Sequence, residues 1–164
     1  MGADQAKFFV TTLGQAMQGE WMHTYKAIHA VPDANKAFKP EPNARSAWDL
    51  AYHIAICDVG FLHAVAANSF SVFPAKCDAE TIPELADWYK HEFPKALEKV
   101  LTLDGNHLSQ IVEAFGMKLS SMTYLMFCNN HMIHHRGQLT TYLRPMGGKV
   151  PAMYGGSFDE KMGG

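Results

Sequence analysis

The sequence predicts an all-α fold, a four-helix bundle whose helices are joined by long connections. Four stretches carry apolar residues at helical spacing and are bounded by capping or helix-breaking residues, whereas strand periodicity is present at most in one short stretch. The connections of roughly 10 to 17 residues exceed the roughly 2 to 8 residues typical of simple up-and-down bundles. We therefore expect long crossovers or loops that build a pocket.

Length and composition predict one domain that spans residues 1–164. The 164 residues are 48% hydrophobic and include 10 Met and 10 Phe, which is enough for one sizeable core. The formal net charge is −2, the pI is about 6.5, and the Lys and Arg residues are scattered. Because nucleic-acid binders concentrate basic residues in a patch or stripe, we expect no nucleic-acid partner.

The cellular setting is predicted from the cysteines and the apolar runs. The three cysteines are far apart and form no Cys-x-x-Cys pair, which is typical of reduced thiols in a cytoplasmic protein. The N-terminus shows no basic segment followed by an apolar one, as a signal peptide requires. The longest apolar run, residues 54–67, is interrupted by Asp58 and His63 and is too short to span a bilayer, so no membrane partner is expected.

The first two helices are predicted at residues 4–30 and 44–68. A loop with three prolines separates them, and Asn43 or Ser46 is expected to cap the second helix. His53 lies within the broad apolar surface of this second helix. A polar ring in such a surface requires a partner, which makes His53 a candidate functional residue.

The third helix is predicted to begin at a capping box that starts at Thr81 and to end near residue 103, with a kink or a break at Pro94. Residues 107–117 fit either an extended segment or a short helix. The fourth helix is predicted at residues 121–144, before a Pro and two Gly residues that end it. The C-terminal tail that follows has no periodicity.

Two histidines on the fourth helix predict a metal site. His131 and His135 are four residues apart, so a rotation of about 100° per residue places them one turn apart on the same face. Such pairs also arise by chance, but His53 adds a third imidazole from another helix, and three imidazoles leave open coordination positions for water or substrate. The alternative for His53 alone is a core histidine that donates to a backbone carbonyl. His134 lies about 60° around the helix from His131, which favours a flanking or interface role.

Other kinds of site are less well supported. A zinc protease needs a glutamate directly after the first histidine, and Met132 stands there. A di-iron bundle needs two Glu-x-x-His units, and the sequence has a single one, which begins at Glu20. A nucleophilic cysteine beside a histidine stays open for Cys57 and Cys128, although buried structural thiols are more common in apolar surroundings.

Three segments of the sequence form a family pattern. The first is the run His131-x-x-x-His135-Arg136-Gly137-Gln138 on the last long helix. The second is the segment that contains His53, residues 48–55, and the third is the tail at residues 150–160. In this order they resemble the DinB superfamily, the DinB/YfiT-like metal-dependent proteins, and the match covers most of the chain.

The resemblance implies a four-helix bundle of the DinB/YfiT-like type, with an unusual connection order, and a divalent metal held by His53, His131 and His135. Nickel, zinc or iron is the metal that it implies, with water in the remaining coordination positions. Members of the family are often homodimers, so a homodimer is expected. Some characterised relatives are thiol transferases or thiol-dependent isomerases.

We expect a metal-dependent enzyme, in particular a thiol S-transferase that joins a low-molecular-weight thiol to a small apolar electrophile. A cation held by neutral imidazoles keeps its charge and lowers the pKa of a thiol or water. Gln138 is expected to orient a water or a ligand ring, and Arg136 to bind a carboxylate of the thiol or to pair with a surface or interface acid. Aromatic side chains of the same helix are expected to line the pocket, namely Tyr124, Phe127 and Tyr142.

Two alternatives stay open. One is a metal-dependent hydrolase, in which the metal activates water, although the sequence offers no obvious glutamate as its base. The other is a non-catalytic metal-binding protein, in which the site stores or senses metal or only stabilises the bundle. A closed fourth ligand favours the second alternative, whereas an open coordination position in a deep pocket favours an enzyme.

Overall fold

The computed structural model describes residues 2–161. Within them the chain forms four long helices, one short helix and one two-stranded antiparallel hairpin, which confirms the predicted all-α bundle. Short 3-10 turns interrupt two of the connections. The elements in chain order are α1 Ala3–His29, α2 Ala47–Ala67, α3 Ile82–Thr102, α4 Gly105–Ser109, β1 Ile111–Ala114, β2 Met117–Ser120 and α5 Ser121–Leu143.

The four long helices are not arranged in their chain order. The helices α1 and α2 each pack against both α3 and α5, so α1 and α2 lie at opposite corners of the bundle. The connection between them, residues 30–46, therefore joins diagonal corners, which explains why it is long. The arrangement also brings α2 against α5, the two helices that carry the candidate metal ligands.

Helix α2 forms much of the core. Ser46 begins it, because the Ser46 hydroxyl oxygen accepts a hydrogen bond from the Asp49 backbone N–H at 3.0 Å. In the described part of the chain, α2 is the one helix long and apolar enough to cross a membrane, yet 67% of its most apolar window is buried inside the bundle. Its apolar composition follows from contact with two neighbouring helices rather than with lipid.

Helix α3 begins at the predicted capping box and continues through its proline. Thr81 and Glu84 exchange hydrogen bonds between side chain and backbone, as the sequence predicts. Of the two outcomes predicted at Pro94, a kink or a break, the break is excluded, because α3 is continuous from Ile82 to Thr102. Proline removes one intrahelical hydrogen bond, and burial of the neighbouring Phe93 and Leu97 against the bundle keeps the helix together across this gap.

Residues 107–117 contain both of the structures that the sequence left open. They include the end of helix α4 and the strand β1, which pairs with β2 so that Val112 lies opposite Leu119. The hairpin turns at Phe115 and Gly116 and leads directly into α5. This connection places the hairpin tip beside the helix that carries the histidine pair.

Candidate metal centre

The bundle brings the three predicted histidines together. His53 on α2 faces His131 and His135, which lie on successive turns of α5. One ring nitrogen from each residue lies within 4.8 Å of the others. The Nε2 atoms of His53 and His131 are 3.0 Å apart.

The spacing and the chemistry of these nitrogens fit a divalent transition metal. Two imidazole nitrogens that each lie about 2.1 Å from a metal ion are about 3.0 to 3.4 Å apart for bond angles between about 90° and 110°, and the His53 and His131 Nε2 atoms, 3.0 Å apart, lie at the short end of this range. Burial lowers the pKa of both His53 and His131 to about 4, and the positive charge of Arg45 acts in the same direction. The two rings are therefore neutral near pH 7, and their lone pairs are available to a metal without loss of a proton.

A buried aspartate, Asp58, supports His131. The Asp58 carboxyl oxygen Oδ1 lies 2.8 Å from His131 Nδ1, and Oδ2 accepts a hydrogen bond from the Tyr89 hydroxyl at 3.2 Å. When His131 donates through Nδ1, its Nε2 lone pair points at His53. Burial raises the pKa of Asp58, and the hydrogen bond from Tyr89 acts against that shift.

This role of Asp58 was not predicted from the sequence, in which Asp58 interrupts an apolar run. A signal for it exists in the sequence. Asp58 is an acidic residue inside an otherwise apolar helix, and a carboxyl group buried in such surroundings requires a hydrogen-bond partner.

The other two histidines also have neighbours at Nδ1. The Gln138 amide oxygen lies 3.0 Å from His135 Nδ1, so an N–H at that position donates to it and leaves Nε2 free. The Cys57 sulfur lies 3.4 Å from His53 Nδ1, and a thiol is able to donate to or accept from this nitrogen. All three rings thus have a hydrogen-bonding neighbour at Nδ1, and a ring that carries its proton on Nδ1 has its Nε2 lone pair available to a metal.

The histidine cluster opens onto an apolar cavity of about 330 Å³. Two of the three histidines, His131 and His135, form part of its wall, so a group held at the cluster is in contact with the cavity. The lining residues are Phe61, Phe115, Met117, Phe127, Asn130, His131, His134 and His135.

Of the three aromatic residues predicted to line the pocket, only Phe127 does so. Tyr124 is buried, and its hydroxyl is directed at backbone carbonyls of the β-hairpin. Tyr142 lies two turns beyond His135, roughly 10 Å along the helix axis, and packs edge-on against Phe38. The predictions for Tyr124 and Tyr142 are wrong because helical spacing sets the face of a helix but not what packs against it.

His134 and Asn130 are exposed residues of the cavity wall; the sequence predicted a flanking or interface position for His134 and no role for Asn130. His134 is outside the cluster of three ligand nitrogens within the described residues. Its ring packs edge-on against His135, with ring centroids 4.7 Å apart. It is therefore a flanking residue of the site.

Arg136 does not face the site. Its side chain is directed toward α1, where Nη1 lies 2.7 Å from Glu20 Oε2, and the residue is only 2% exposed. Tyr154 from the C-terminal tail forms hydrogen bonds with both members of this ion pair. Its hydroxyl accepts from Arg136 and donates to the Glu20 carboxylate at 2.6 Å. Of the two roles expected for Arg136, the structure shows the pairing with an acid, and the charge of Arg136 is therefore not available to a substrate carboxylate. The single Glu-x-x-His unit that begins at Glu20 supplies the acid of this ion pair, which is partly buried because the Glu20 side chain is 18% exposed.

The fold and this cluster define a helical-bundle protein with a three-histidine site of the kind that holds a metal ion. Residues 5–162 match the family model described as the DinB family. The chain belongs to the DinB family, as its sequence resemblance implies.

Relatives of known sequence or structure agree with this assignment. The chain is 27% identical to the uncharacterized protein YrdA of Bacillus subtilis over 84% of this chain and 83% of YrdA. It is 29% identical to YjoA of the same organism over 68% of this chain and 73% of YjoA. The crystal structure of YjoA, a DinB-like protein, superposes with a TM-score of 0.72 at 21% identity, covering 93% of this chain and 99% of that one. The crystal structure of a DinB-like protein from Bacillus cereus ATCC 10987 superposes with a TM-score of 0.69 at 24% identity, covering 87% of this chain and 95% of that one. Both structures share the bundle fold.

Proposed function

We propose that this protein is a metal-dependent thiol S-transferase that joins a low-molecular-weight thiol to a small apolar electrophile. The observation that carries the proposal is the position of the histidine cluster at the wall of an apolar cavity. A buried structural metal site has no need of such a cavity, whereas an enzyme needs room for substrate beside the metal.

The side chains of the site have distinct roles in this proposal. His53, His131 and His135 hold a divalent metal such as nickel, zinc or iron, which supplies the positive charge that lowers the pKa of a thiol. Asp58 and Gln138 keep two of the rings in the orientation that directs Nε2 at the metal. The apolar cavity binds the electrophile and excludes water from the reacting atoms.

A positive charge near the site suits a thiol that carries a carboxylate. Arg45 is exposed and directly precedes Ser46, the residue that caps α2. Its charge contributes to the lowered pKa of all three histidines, after the larger effect of burial. In our proposal Arg45 binds the carboxylate of the thiol, which is one of the two roles expected for Arg136. Arg45→Gln is expected to raise the KM for mercaptoacetate and to leave the KM for 2-mercaptoethanol unchanged.

A hydrolase receives less support from the structure. In residues 2–161 no Asp or Glu lines the cavity, so a carboxylate base for a water nucleophile is not present at its wall. Asp58 contacts the cluster through a hydrogen bond with His131, and its second carboxyl oxygen accepts a hydrogen bond from Tyr89. Both oxygens are therefore already occupied.

The test combines metal content with activity. Wild-type protein, His135→Ala and the control His91→Ala are loaded with nickel, zinc or iron(II), desalted and analysed for bound metal. Transfer of a panel of small thiols to 1-chloro-2,4-dinitrobenzene is then measured. His135→Ala is expected to lose both metal and activity, and His91→Ala to keep both, because His91 is exposed on α3 and lies outside both the histidine cluster and the cavity wall.

Three outcomes separate the proposal from its alternatives. Full transfer activity after metal removal contradicts the proposed mechanism. Stoichiometric metal without transfer of any thiol indicates a non-catalytic metal-binding protein. Hydrolysis of activated esters in place of thiol transfer indicates the hydrolase.

We further propose that the protein is a cytoplasmic homodimer. All three cysteines are free and buried, which suits a reducing compartment. The exposed face of α5 carries Met126 and Ile133 two turns apart, 40% and 38% exposed, with Asn130 between them and Gly137 one turn beyond Ile133. Exposed apolar side chains on one helix face suit contact with a second copy of the chain. Light scattering is expected to give twice the chain mass, and Ile133→Glu to give the monomer; a monomeric wild type contradicts the proposal.

A further inference from the structure

The tip of the β-hairpin holds an aromatic residue in an unfavourable backbone conformation. Phe115 and Gly116 are the two central residues of the turn, with φ angles of 54° and 73°. Turns with positive φ at both positions favour Asn, Asp and Gly, because a side chain at the first position is strained. A phenylalanine there suggests that its ring serves a purpose other than forming the turn.

The Phe115 ring belongs to an aromatic cluster next to the metal centre. Its centroid lies 6.1 Å from that of Phe61, 5.2 Å from Phe70 and 5.5 Å from Phe73. Phe61 in turn packs against His131, with ring centroids 5.9 Å apart. Although it has these neighbours, Phe115 remains 58% exposed. Part of its face is therefore free to meet a ligand.

The hairpin is held in position over α5. The Tyr124 hydroxyl lies 3.3, 3.2 and 3.0 Å from the carbonyl oxygens of Val112, Ala114 and Met117, so its proton is shared among both strands next to the turn. Since Tyr124 is fully buried on α5, this contact fixes the tip relative to the histidine pair. The site is thereby preorganised rather than formed on ligand binding.

The cavity between the tip and the histidines has the shape and chemistry of a ring-binding site. Phe115 and Met117 from the hairpin, Phe61 from α2 and Phe127 from α5 form its apolar walls. Among the described residues no Lys, Arg, Asp or Glu lines it. Its volume of about 330 Å³ lies at the lower end of ligand pockets and accommodates one or two rings. Aromatic walls favour a planar aromatic ligand through edge-to-face and stacked contacts.

We propose that this cavity binds a neutral aromatic ring of the electrophile, and that Phe115 is the residue that determines this specificity. This inference rests on the proposed thiol transfer, in which the bound ring belongs to the electrophile. Binding of the ring itself does not depend on the metal, since the apolar walls come from side chains outside the histidine cluster. The two proposals are therefore open to separate tests.

The first experiment uses the full chain without metal. Binding of benzyl alcohol and of cyclohexylmethanol, which differ in aromaticity but little in size, is measured by ligand-observed NMR titration. The wild type is expected to bind benzyl alcohol several-fold more tightly. Phe115→Asn removes the ring and introduces a residue that the turn favours. It is therefore expected to weaken the binding of benzyl alcohol about 3- to 10-fold and to keep or raise the Tm. The matched control is Phe158→Ala, since Phe158 is a tail residue that is 94% exposed and contacts Arg144. This variant is expected to change neither the affinity for benzyl alcohol nor the Tm.

Equal affinity for the two alcohols, or unchanged binding in folded Phe115→Asn, overturns the inference. The second experiment is the thiol-transfer assay with aromatic and aliphatic electrophiles of matched reactivity. Ring selectivity in a protein that binds no metal contradicts the proposed function alone. Metal-dependent thiol transfer without preference for an aromatic electrophile contradicts this inference alone.

Discussion

The Nδ1 atom of His131 lies 2.8 Å from Oδ1 of Asp58, a carboxyl group with no exposed surface. Asp58 is on α2, the helix that also carries His53, whereas His131 is on α5. One helix therefore supplies a candidate ligand and the hydrogen-bond partner of another. This double role makes the geometry of the site depend on the packing of α2 against α5.

Asp58→Asn is expected to weaken metal binding about 10- to 100-fold, as is typical when the partner of a metal-ligating histidine is altered. The amide keeps an oxygen that accepts from His131 but removes the negative charge. Competition with a chromophoric chelator measures the Kd. Asp87→Asn, on the exposed side of α3, is the matched control and is expected to bind as the wild type does. Unchanged affinity in folded Asp58→Asn contradicts the assigned role.

The ion pair between Glu20 and Arg136 is expected to stabilise the fold rather than the reaction. Glu20→Gln leaves a guanidinium that is 3% exposed without its carboxylate, at a cost of about 3 kcal/mol in the free energy of unfolding. Urea denaturation measures this change. Glu92→Gln removes the partner of Lys95 in an exposed pair, and it is expected to cost less than about 1 kcal/mol. Similar losses for the two variants contradict the prediction.

His53 is expected to reduce the stability of the metal-free protein as the pH falls from about 6.5 toward 4. The pKa of His53 is 6.5 in the unfolded chain and about 4 in the folded protein, because burial disfavours the charged ring. Between these values the unfolded state holds more protons, so lowering the pH favours unfolding. The raised pKa of Asp58 acts in the opposite direction, but it is common to the wild type and His53→Gln.

His53→Gln is therefore expected to show a weaker dependence of the unfolding free energy on pH than the wild type, measured by urea denaturation at pH 7, 6 and 5. His91→Gln, at an exposed position of α3, is the control and is expected to keep the wild-type dependence. Parallel curves for His53→Gln and the wild type contradict the prediction.

The cysteine next to His53 is expected to be unreactive. Burial, with the charge of Asp58 as a second cause, raises the pKa of the Cys57 thiol to about 12. At pH 8 about one thiol in 10,000 is then ionised, and only the thiolate attacks an alkylating agent. Iodoacetamide labelling followed by mass spectrometry is expected to modify Cys57 in guanidinium but not in the native protein. Rapid labelling of Cys57 in the native protein contradicts this prediction and supports the nucleophilic role that the sequence left open for this residue.

Local patterns in the sequence predict the helices and the candidate ligands well. Apolar periodicity and the capping residues Ser46 and Thr81 locate the helix starts to within a few residues, because these signals involve neighbours in the chain. The spacing of His131 and His135 places both on one face of α5 whatever packs against it. Pro94 is the exception, since the local rule predicts a kink or a break, and the helix continues through this position.

Contacts between distant residues were predicted poorly. Asp58 and His131, or Glu20 and Arg136, are far apart in sequence, and no periodicity relates them. The same limit applies to Tyr124 and Tyr142, whose neighbours depend on the hairpin and on the loop that contains Phe38. Each of these roles is set by packing between elements.

The sequence by itself determined the helical class, the family pattern and three histidines able to serve as ligands, because helix formation and the direction of a side chain on a helix are local properties. Only the tertiary structure decided that α1 and α2 lie at opposite corners, that Asp58 supports His131, and that Phe115 faces a cavity beside the site. These features arise from burial and hydrogen bonding across the bundle, which satisfy polar groups that their own helices leave without partners.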